Sequence, residues 1–436
     1  MRIKLIYPNV SLAHSNHSKP SRRFYRVPPL NLLILAGLTP PNIDIEIIDE
    51  RYQSINFDEP VDLVGITALT SLAPRAYQIA DELMKRKVKV VIGGVHPSFL
   101  PDEAIQHADA VVIGEAEIVW RQLLEDYASG SLKRFYHSEP PSLDKVPFPR
   151  WELIPNRNRY VNLIQCMRGC PNNCDFCSVP KFSGRKIRTR PIQQVIEEIK
   201  NLPKGFIAFI DDNIFGRPSY AKELFHALIP LKIKWAGEAS LNFIKGFPEL
   251  LKLAAKSGCR VFLIGMESIS QKALDGVNKG FNRVKEFGKV VRMLHNLGIS
   301  VVPSFIFGFD EDDPGVFERT LKFLNEIKVD AASFSILTPL PGTPLYYRLK
   351  SAGRIFEQDW SKFDGAHATF KPLKMSPSEL EKGVDWIYRK FYSVPNTLKR
   401  IVRRWRKNPF IIPINLSFFI SEKRGLIIDK LNPIYR

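Results

Sequence analysis

Residues 166–177 read CMRGCPNNCDFC, so Cys166, Cys170, Cys174 and Cys177, four of the chain's five cysteines, fall inside twelve residues. The last three form C-x3-C-x2-C on a segment that Gly169 and Pro171 keep from being helical. A loop with this spacing wraps three thiolates around one face of an iron–sulfur cubane and leaves one iron open to a substrate or cofactor. Zinc is the alternative, but a structural zinc site wants four ligands and no second cysteine pair lies nearby. Cys166 stands outside the triplet, as a core-facing strand thiol, an extra ligand or a catalytic group beside the cluster. Cys259, in KSGCRVF at a helix-to-strand junction, reads as packing.

Around this stretch the chain alternates apolar runs with helical patterns. YVNLIQC leads into the cysteines, and GFIAFIDDN, IKWAGEAS, RVFLIGMES, ISVVPSFIFGF and AASFSILTPL follow, each with a helical stretch after it. Six such repeats over 158–352 predict a partial parallel (β/α)6 barrel whose chemistry sits at the strand C-termini, where the cysteines fall. Upstream, RIKLIYP, IDIEIID, VDLVGITAL, VKVVIGG and DAVVIGE read as buried strands, with LNLLILAGL, PRAYQIADELMKR and IVWRQLLEDYA as helices between them. That predicts a doubly wound parallel sheet over 1–137, with ligands beyond the strand ends at Thr67-Ala68-Leu69-Thr70, Gly93-Gly94-Val95-His96 and Gly114-Glu115. A proline-rich connector, SEPPSLDKVPFPRWELIP, separates the two units over 138–157, and a mainly helical extension occupies 353–436.

Composition narrows the function classes. A chain of 436 residues divides into two or three domains, and 44% hydrophobic with 25% charged residues predicts a folded globular protein. MRIKLIYPNV reads as a buried first strand rather than a signal peptide, and no stretch reaches the roughly 18 apolar residues of a membrane span. The expectation is a cytoplasmic protein with reduced thiols, so clustered cysteines point to metal or redox chemistry before disulfides. The net charge is +18, but Arg389–Arg436 carries 12 Lys/Arg against Glu422 and Asp429. Basic character is mostly a C-terminal feature, which argues against a catalytic domain built around nucleic acid.

The triplet, with Phe176 just before the last cysteine, resembles the signature of the radical S-adenosylmethionine (SAM) superfamily. The resemblance implies a four-iron four-sulfur cluster held by Cys170, Cys174 and Cys177, whose open iron chelates SAM and whose reduction cleaves it to methionine and a 5'-deoxyadenosyl radical. By the same resemblance Phe176 lines the adenine side, Asp211, Asp212 and Asn213 meet the SAM amino group, and Glu238 and Ser240 meet the ribose and carboxylate. Glu267 and Ser268 end the fourth barrel strand. Each of these also suits the cap of a following helix.

An open α/β unit ahead of such a barrel resembles the cobalamin-dependent radical SAM enzymes, which include hopanoid methylases and the anaerobic porphyrin cyclase. The likeness places cobalamin against Thr67, Leu69, Gly93, Gly94 and Gly114, since glycine lets backbone approach a bulky ligand. The family's Asp-x-His-x-x-Gly element is missing: PNVSLAHSNHSKPS places His14 and His17 at other spacings. Cobalamin would then lack a histidine ligand from the protein, and a scaffold domain without cofactor is the other reading.

In TLKRIVRRWRKNPF, Leu398, Ile401, Val402 and Trp405 form one stripe of a helix ringed by Lys399, Arg400, Arg403, Arg404, Arg406 and Lys407. With PFIIPINLSFFI behind it, residues 397–420 suit either an anionic membrane surface, on the inner face, or packing on the barrel. The leading expectation is a cobalamin-dependent C-methylase of a hydrophobic, lipid-like or tetrapyrrole substrate, reduced by an external donor such as flavodoxin or ferredoxin. A cyclising or oxidising enzyme without methyl transfer, and a non-catalytic iron–sulfur or cobalamin sensor, are the alternatives.

Overall fold

The computed structural model describes residues 1–9 and 26–423. His14, His17 and the final basic stretch 424–436 lie outside the described residues.

Every strand anticipated from the sequence forms. In the N-terminal unit β1 (Arg2–Tyr7), β2 (Asp44–Asp49), β3 (Leu63–Thr67), β4 (Lys89–Gly93) and β5 (Ala110–Ile113) are joined by a sixth, β6 (Phe135–His137), too short to show a period in sequence. All pair in parallel in the order β2-β1-β3-β4-β5-β6. The order reverses between β1 and β3, so the crevice at their carboxyl ends is the doubly wound sheet's natural ligand position. Helices cover both faces. Leu32, Leu33, Ala36, Trp120 and Leu123 bury one side and Ala76, Ile79, Ala80 and Leu83 the other, which is why the strands read as continuous apolar runs.

The barrel opens with β7 (Asn162–Ile164). It is followed by a two-stranded antiparallel ribbon, β8 (Met167–Arg168) and β9 (Arg188–Thr189), and then by β10 (Phe206–Phe209), β11 (Lys234–Ala239), β12 (Cys259–Glu267), β13 (Ser300–Phe307) and β14 (Ser333–Ile336). Six of these form a parallel sheet, β14-β13-β12-β11-β10-β7, whose edge strands do not meet. Trp235 anchors it, its ring centroid 5.2 Å from Phe209, 5.3 Å from Phe225 and 5.8 Å from Phe262.

An open barrel has an unpaired edge and an exposed bottom, and the C-terminal residues close both. Along β14 the helix Pro377–Phe391 supplies Tyr388, whose hydroxyl accepts the Phe334 N–H at 2.9 Å, and the next residue beyond it, Tyr392, accepts from Ala332 and donates back to its carbonyl at 2.7 Å. Beneath the barrel, Phe410, Ile414 and Phe418 plug the strand N-termini against Ala236, Val261, Val302 and Ala331. The apolar run PFIIPINLSFFI is therefore partly interior. Among the described residues no helix is long and apolar enough to cross a membrane.

The helix Val394–Arg404 does not pack its apolar stripe on the barrel, the second of the two readings its pattern allowed. Its arginines face inward and its apolar stripe faces out: Arg400 and Arg404 are 4% and 6% exposed, Leu398 55%, Val402 70% and Trp405 45%. The reason lies in what the arginines reach. Arg403 donates to the carbonyls of Lys328 and Val329 just past the end of Val316–Ile327, Arg404 to those of His295 and Ile299 around the end of Phe287–Asn296, and Arg404 pairs with Asp330 at 3.4 Å. Carbonyls at and just past helix C-termini carry partial negative charge, and guanidinium groups answer them with fixed donor forks. Arg400 bonds the Asn415 side chain and the Phe391 carbonyl and stacks 4.0 Å over the Phe391 ring.

Arg400→Ala strands those acceptors in the interior and is expected to destabilise by about 2–4 kcal/mol in urea unfolding, whereas Val402→Ala changes stability by less than about 0.5 kcal/mol. A reversed order of the two losses would mean that the apolar stripe, not the basic face, carries the docking.

Candidate active site

The cysteines lie on an irregular segment, 169–187, that leaves the barrel through β8 and returns through β9. Gly169 begins it at φ +98°, a conformation that side chains resist, and an added Cβ would stand 2.6 Å from the Lys186 carbonyl. The loop's backbone is tied down at its ends. Asp211, at the end of β10, accepts N–H bonds from Cys166 at 2.7 Å and from Met167 at 2.5 Å, and Asp212 accepts from Gly169 at 3.2 Å. Burial pushes the Asp211 carboxyl up to about 7 against those two donors. Asp175, inside the loop, bonds Asn278 and exchanges backbone bonds with Val277 and Leu345.

Cys170, Cys174 and Cys177 are free of disulfides. Burial pushes all three thiols up, Cys174 to about 11, and the thiols influence one another electrostatically across the loop. Among the described residues no three His, Cys, Asp or Glu side chains converge as ligands of one ion. A cubane asks for a wider arrangement, because each thiolate binds its own iron, and the donor set of three loop thiols fits it. Cys166 and Cys259 are fully buried in the barrel core, where burial raises their thiols well above the ordinary value.

Beside the thiols stands a cation that sequence reading missed. Lys279 pairs with Glu267 at 2.5 Å and lies 5.6 Å from the Phe176 ring centroid. Burial works against its charge, but Glu267, Cys174 and Cys177 outweigh it and hold the ammonium above its ordinary value. In LDGVNKGFN a lysine between Asn and Gly reads as solvated turn; no spacing announces that it folds back onto the fourth strand's end. Glu267 itself sits at φ +65°, and a Cβ on Gly265 would strike its carboxylate and come within 2.9 Å of Lys279 Nζ, so a larger residue there would have to push that ion pair aside.

The remaining anticipated SAM residues gather at successive strand ends. Asn213 Oδ1 accepts from Phe215 and Ser240 N–H, Ser240 Oγ meets Asn172 of the cysteine loop at 3.4 Å, the Glu238 carbonyl accepts from Ile214, and Ser268 Oγ accepts the Ser270 N–H. Three buried atoms here have no partner: Asp211 Oδ2, Asn213 Nδ2 and Glu267 Oε2. Orphaned polar atoms of both signs beside a thiol triplet suit a zwitterionic ligand such as SAM. Phe176 packs edge-on to Phe309, centroids 6.4 Å apart.

On the N-terminal sheet Thr67 and Gly93 are register partners at the β3 and β4 ends, and Thr67 Oγ1 accepts from Asn31 at 2.9 Å. A Cβ on Gly93 would meet only Val112 atoms, the nearer at 3.5 Å, so this edge leaves room for a bulky group. Gly94 and Gly114, at φ +109° and +92°, are instead held by the chain's own turns, with an added Cβ 2.7 Å from the Ala68 carbonyl and 2.5 Å from that of Ser138. Leu69 is half-buried beside them. The small, open β3 and β4 ends fit a corrin laid across the strand edge.

Two carboxylates of this unit reach residues outside it. Glu115 bonds Arg168 at 2.7 Å and Arg188 at 2.5 Å and 2.9 Å. Burial alone would raise its carboxyl, but Arg188 and Arg168 prevail and hold it below the ordinary range. Glu103 accepts from Tyr77 and from Trp360 beyond the barrel, at 2.9 Å and 3.1 Å, and meets buried His96 at 3.1 Å.

Comparison with known proteins gives concordant matches. Residues 164–324 match the Radical SAM superfamily and residues 23–124 the B12 binding domain. The chain is 34% identical over 420 residues to bacteriochlorophyllide d C-12(1)-methyltransferase of Chlorobaculum tepidum, covering 93% of this chain and 90% of that protein. It is 33% identical to the C-8(2)-methyltransferase of the same organism, over 90% of each chain. The solved structure of TsrM, a radical S-adenosylmethionine methyltransferase from Kitasatospora setae, superposes with TM-score 0.66 at 16% identity over 100% of both chains. OxsB with aqua-cobalamin and S-adenosylmethionine superposes at TM-score 0.72 and 17% identity, over 97% of this chain and 71% of that one. These structural likenesses establish the fold.

Alanine at Cys170, Cys174 or Cys177 is expected to abolish the iron–sulfur absorbance of anaerobically reconstituted protein, and Cys166→Ala to retain it; a retained band in Cys174→Ala would sink the ligand assignment. Lys279→Met leaves Glu267 buried without its cation and is expected to cost about 3–5 kcal/mol of stability in denaturant unfolding.

Proposed function

The chain belongs to the cobalamin-binding radical SAM enzymes, and from that premise we propose that it methylates a carbon on the side chains of a tetrapyrrole macrocycle. It is a radical SAM enzyme with a four-iron four-sulfur cluster, SAM and cobalamin as cofactors. The observation that carries the methylase reading is the juxtaposition of three free loop thiols with an open strand edge of the cobalamin-binding sheet, joined through Glu115. Two relatives matched over nine-tenths of their length act, by name, on bacteriochlorophyllide, which supports the tetrapyrrole class over the hopanoid lipids of a 26% identical relative.

When bound, the cluster supplies the electron that cleaves SAM and the corrin carries the methyl group. The chain's own part is placement. Cys170, Cys174 and Cys177 hold the cluster at the barrel mouth, and the orphaned oxygens of Asp211 and Glu267 suit the ammonium group of SAM. Lys279 supplies a fixed positive charge beside the thiolates, which lowers the cost of gathering their negative charge in a buried site. Phe176 lines the apolar side. The resemblance implies that an external donor such as flavodoxin or ferredoxin would supply the reducing electron.

We place the protein in the cytoplasm, peripheral to the inner membrane face. The exposed stripe Leu398, Val402 and Trp405, flanked by exposed Lys399, Arg406 and Lys407, supports this, with no acidic residue between Asp385 and Glu422. The stripe lies at the barrel's bottom, away from the strand C-termini, so the contact would tether the enzyme rather than feed its site. The ring-forming alternative is supported by 27% identity to the anaerobic magnesium-protoporphyrin IX monomethyl ester cyclase of Cereibacter sphaeroides.

Reconstituted enzyme reduced with SAM, hydroxocobalamin and a bacteriochlorophyllide is expected to release 5'-deoxyadenosine and S-adenosylhomocysteine and to move labelled methyl from SAM to the pigment. Label-free product with new unsaturation would favour the cyclase reading, and no deoxyadenosine at all would overturn the radical mechanism. Co-sedimentation with anionic vesicles should fall in Leu398→Glu/Val402→Glu; equal pelleting of that variant would refute the tether.

A further inference from the structure

Arg168 and Arg188, which anchor the two ends of the cysteine loop, stand directly opposite each other in the β8–β9 ladder. Like charges at directly opposed positions repel, and with each side chain only 11% exposed, solvent screens little of that repulsion. The group that reconciles them comes from elsewhere in the chain. Glu115, 3% exposed, sits between both guanidiniums, and Glu117 adds a further ion pair to Arg168 at 2.5 Å. Two buried cations thus face two carboxylates, and Arg188's other partners are the carbonyls of Pro141 and Ser183.

Glu115 is also one residue past Gly114, at the carboxyl edge of β5, in the sheet whose β3 and β4 ends carry Thr67 and Gly93. One side chain therefore closes the base of the cysteine loop and ties it to the strand edge assigned to the corrin. We propose that Glu115 is a positioning residue that couples the two cofactor sites, holding the loop of Cys170, Cys174 and Cys177 at a set distance and angle from the corrin edge. The clamp is a property of the polypeptide; its purpose rests on the methylase reading.

The charge balance makes the proposal specific. Glu115→Gln leaves two buried guanidiniums facing one carboxylate, and a guanidinium does not shed its proton. Arg188→Met leaves a carboxylate in excess, which relieves itself by taking up a proton. The double variant Glu115→Gln/Arg188→Met is balanced again. Loop opening is therefore expected to be greatest in Glu115→Gln, smaller in Arg188→Met, and partly restored in the double variant.

The test uses the full chain. Without cofactors, hydrogen exchange of peptides spanning 169–187 should accelerate about tenfold or more in Glu115→Gln, while the barrel strands keep their rates. With cluster and cob(II)alamin loaded and the cluster reduced, the line splitting from magnetic coupling between the two centres should be sharp in the wild type and broadened in Glu115→Gln. Unchanged loop exchange, or acceleration across the whole barrel that Arg188→Met does not rescue, would overturn the clamp. A wild type that loads no corrin would remove the methylase reading and the coupling with it, while loop exchange alone still decides whether Glu115 clamps the loop.

Discussion

A half-buried loop with a single short helical turn, Val179–Phe182, must find partners for its backbone and side-chain donors somewhere, and here carboxylates hold its two ends. Asp211 and Asp212 grip the entry of the cysteine loop from the barrel, Asp175 ties its middle to the residues after β12 and β14, and Glu115 grips both ends from the other sheet. The loop's one helical turn, Val179–Phe182, follows the last of the three cysteines, so no helix or sheet ladder fixes the thiols. Charge-assisted hydrogen bonds are strong and directional enough to hold it instead. The positions of the three loop thiols relative to the barrel and to the N-terminal sheet follow from this set of contacts.

The price of such a site is an open barrel. Six strands leave an edge and a bottom that a closed barrel would not have, and the C-terminal residues cover both with tyrosine hydroxyls, a plug of Phe410, Ile414 and Phe418, and arginines seated on helix C-termini. The sealing is done at the end opposite the strand C-termini.

Much of this was legible in the chain. Long buried strands announce themselves as runs of Val, Ile, Leu and Phe, and every one of the larger strands was recognised by that signal. The cysteine triplet, with Phe176, carried the resemblance to the radical SAM superfamily that the family match bears out. The basic C-terminal helix left two readings open, because an amphipathic pattern does not say which face the protein itself buries. Arg400 and Arg404 face inward since the surface beneath them is a set of helix-end carbonyls and Asp330, and no feature of TLKRIVRRWRKNPF records what lies beneath. β6, β8 and β9, two or three residues each, are too short for any period to show.

The sequence by itself determined the two parallel sheets, because hydrophobic period is local, and its motif carried the family resemblance. Only the tertiary structure decided that Lys279 lies beside those thiols, that Glu115 joins Arg168 and Arg188, and that Gly93 rather than Gly94 leaves room at the strand edge. Each of those facts is a buried charge or a close approach between residues distant in the chain. A charge is tolerated in the interior only by virtue of a partner, and that partner is chosen by the fold.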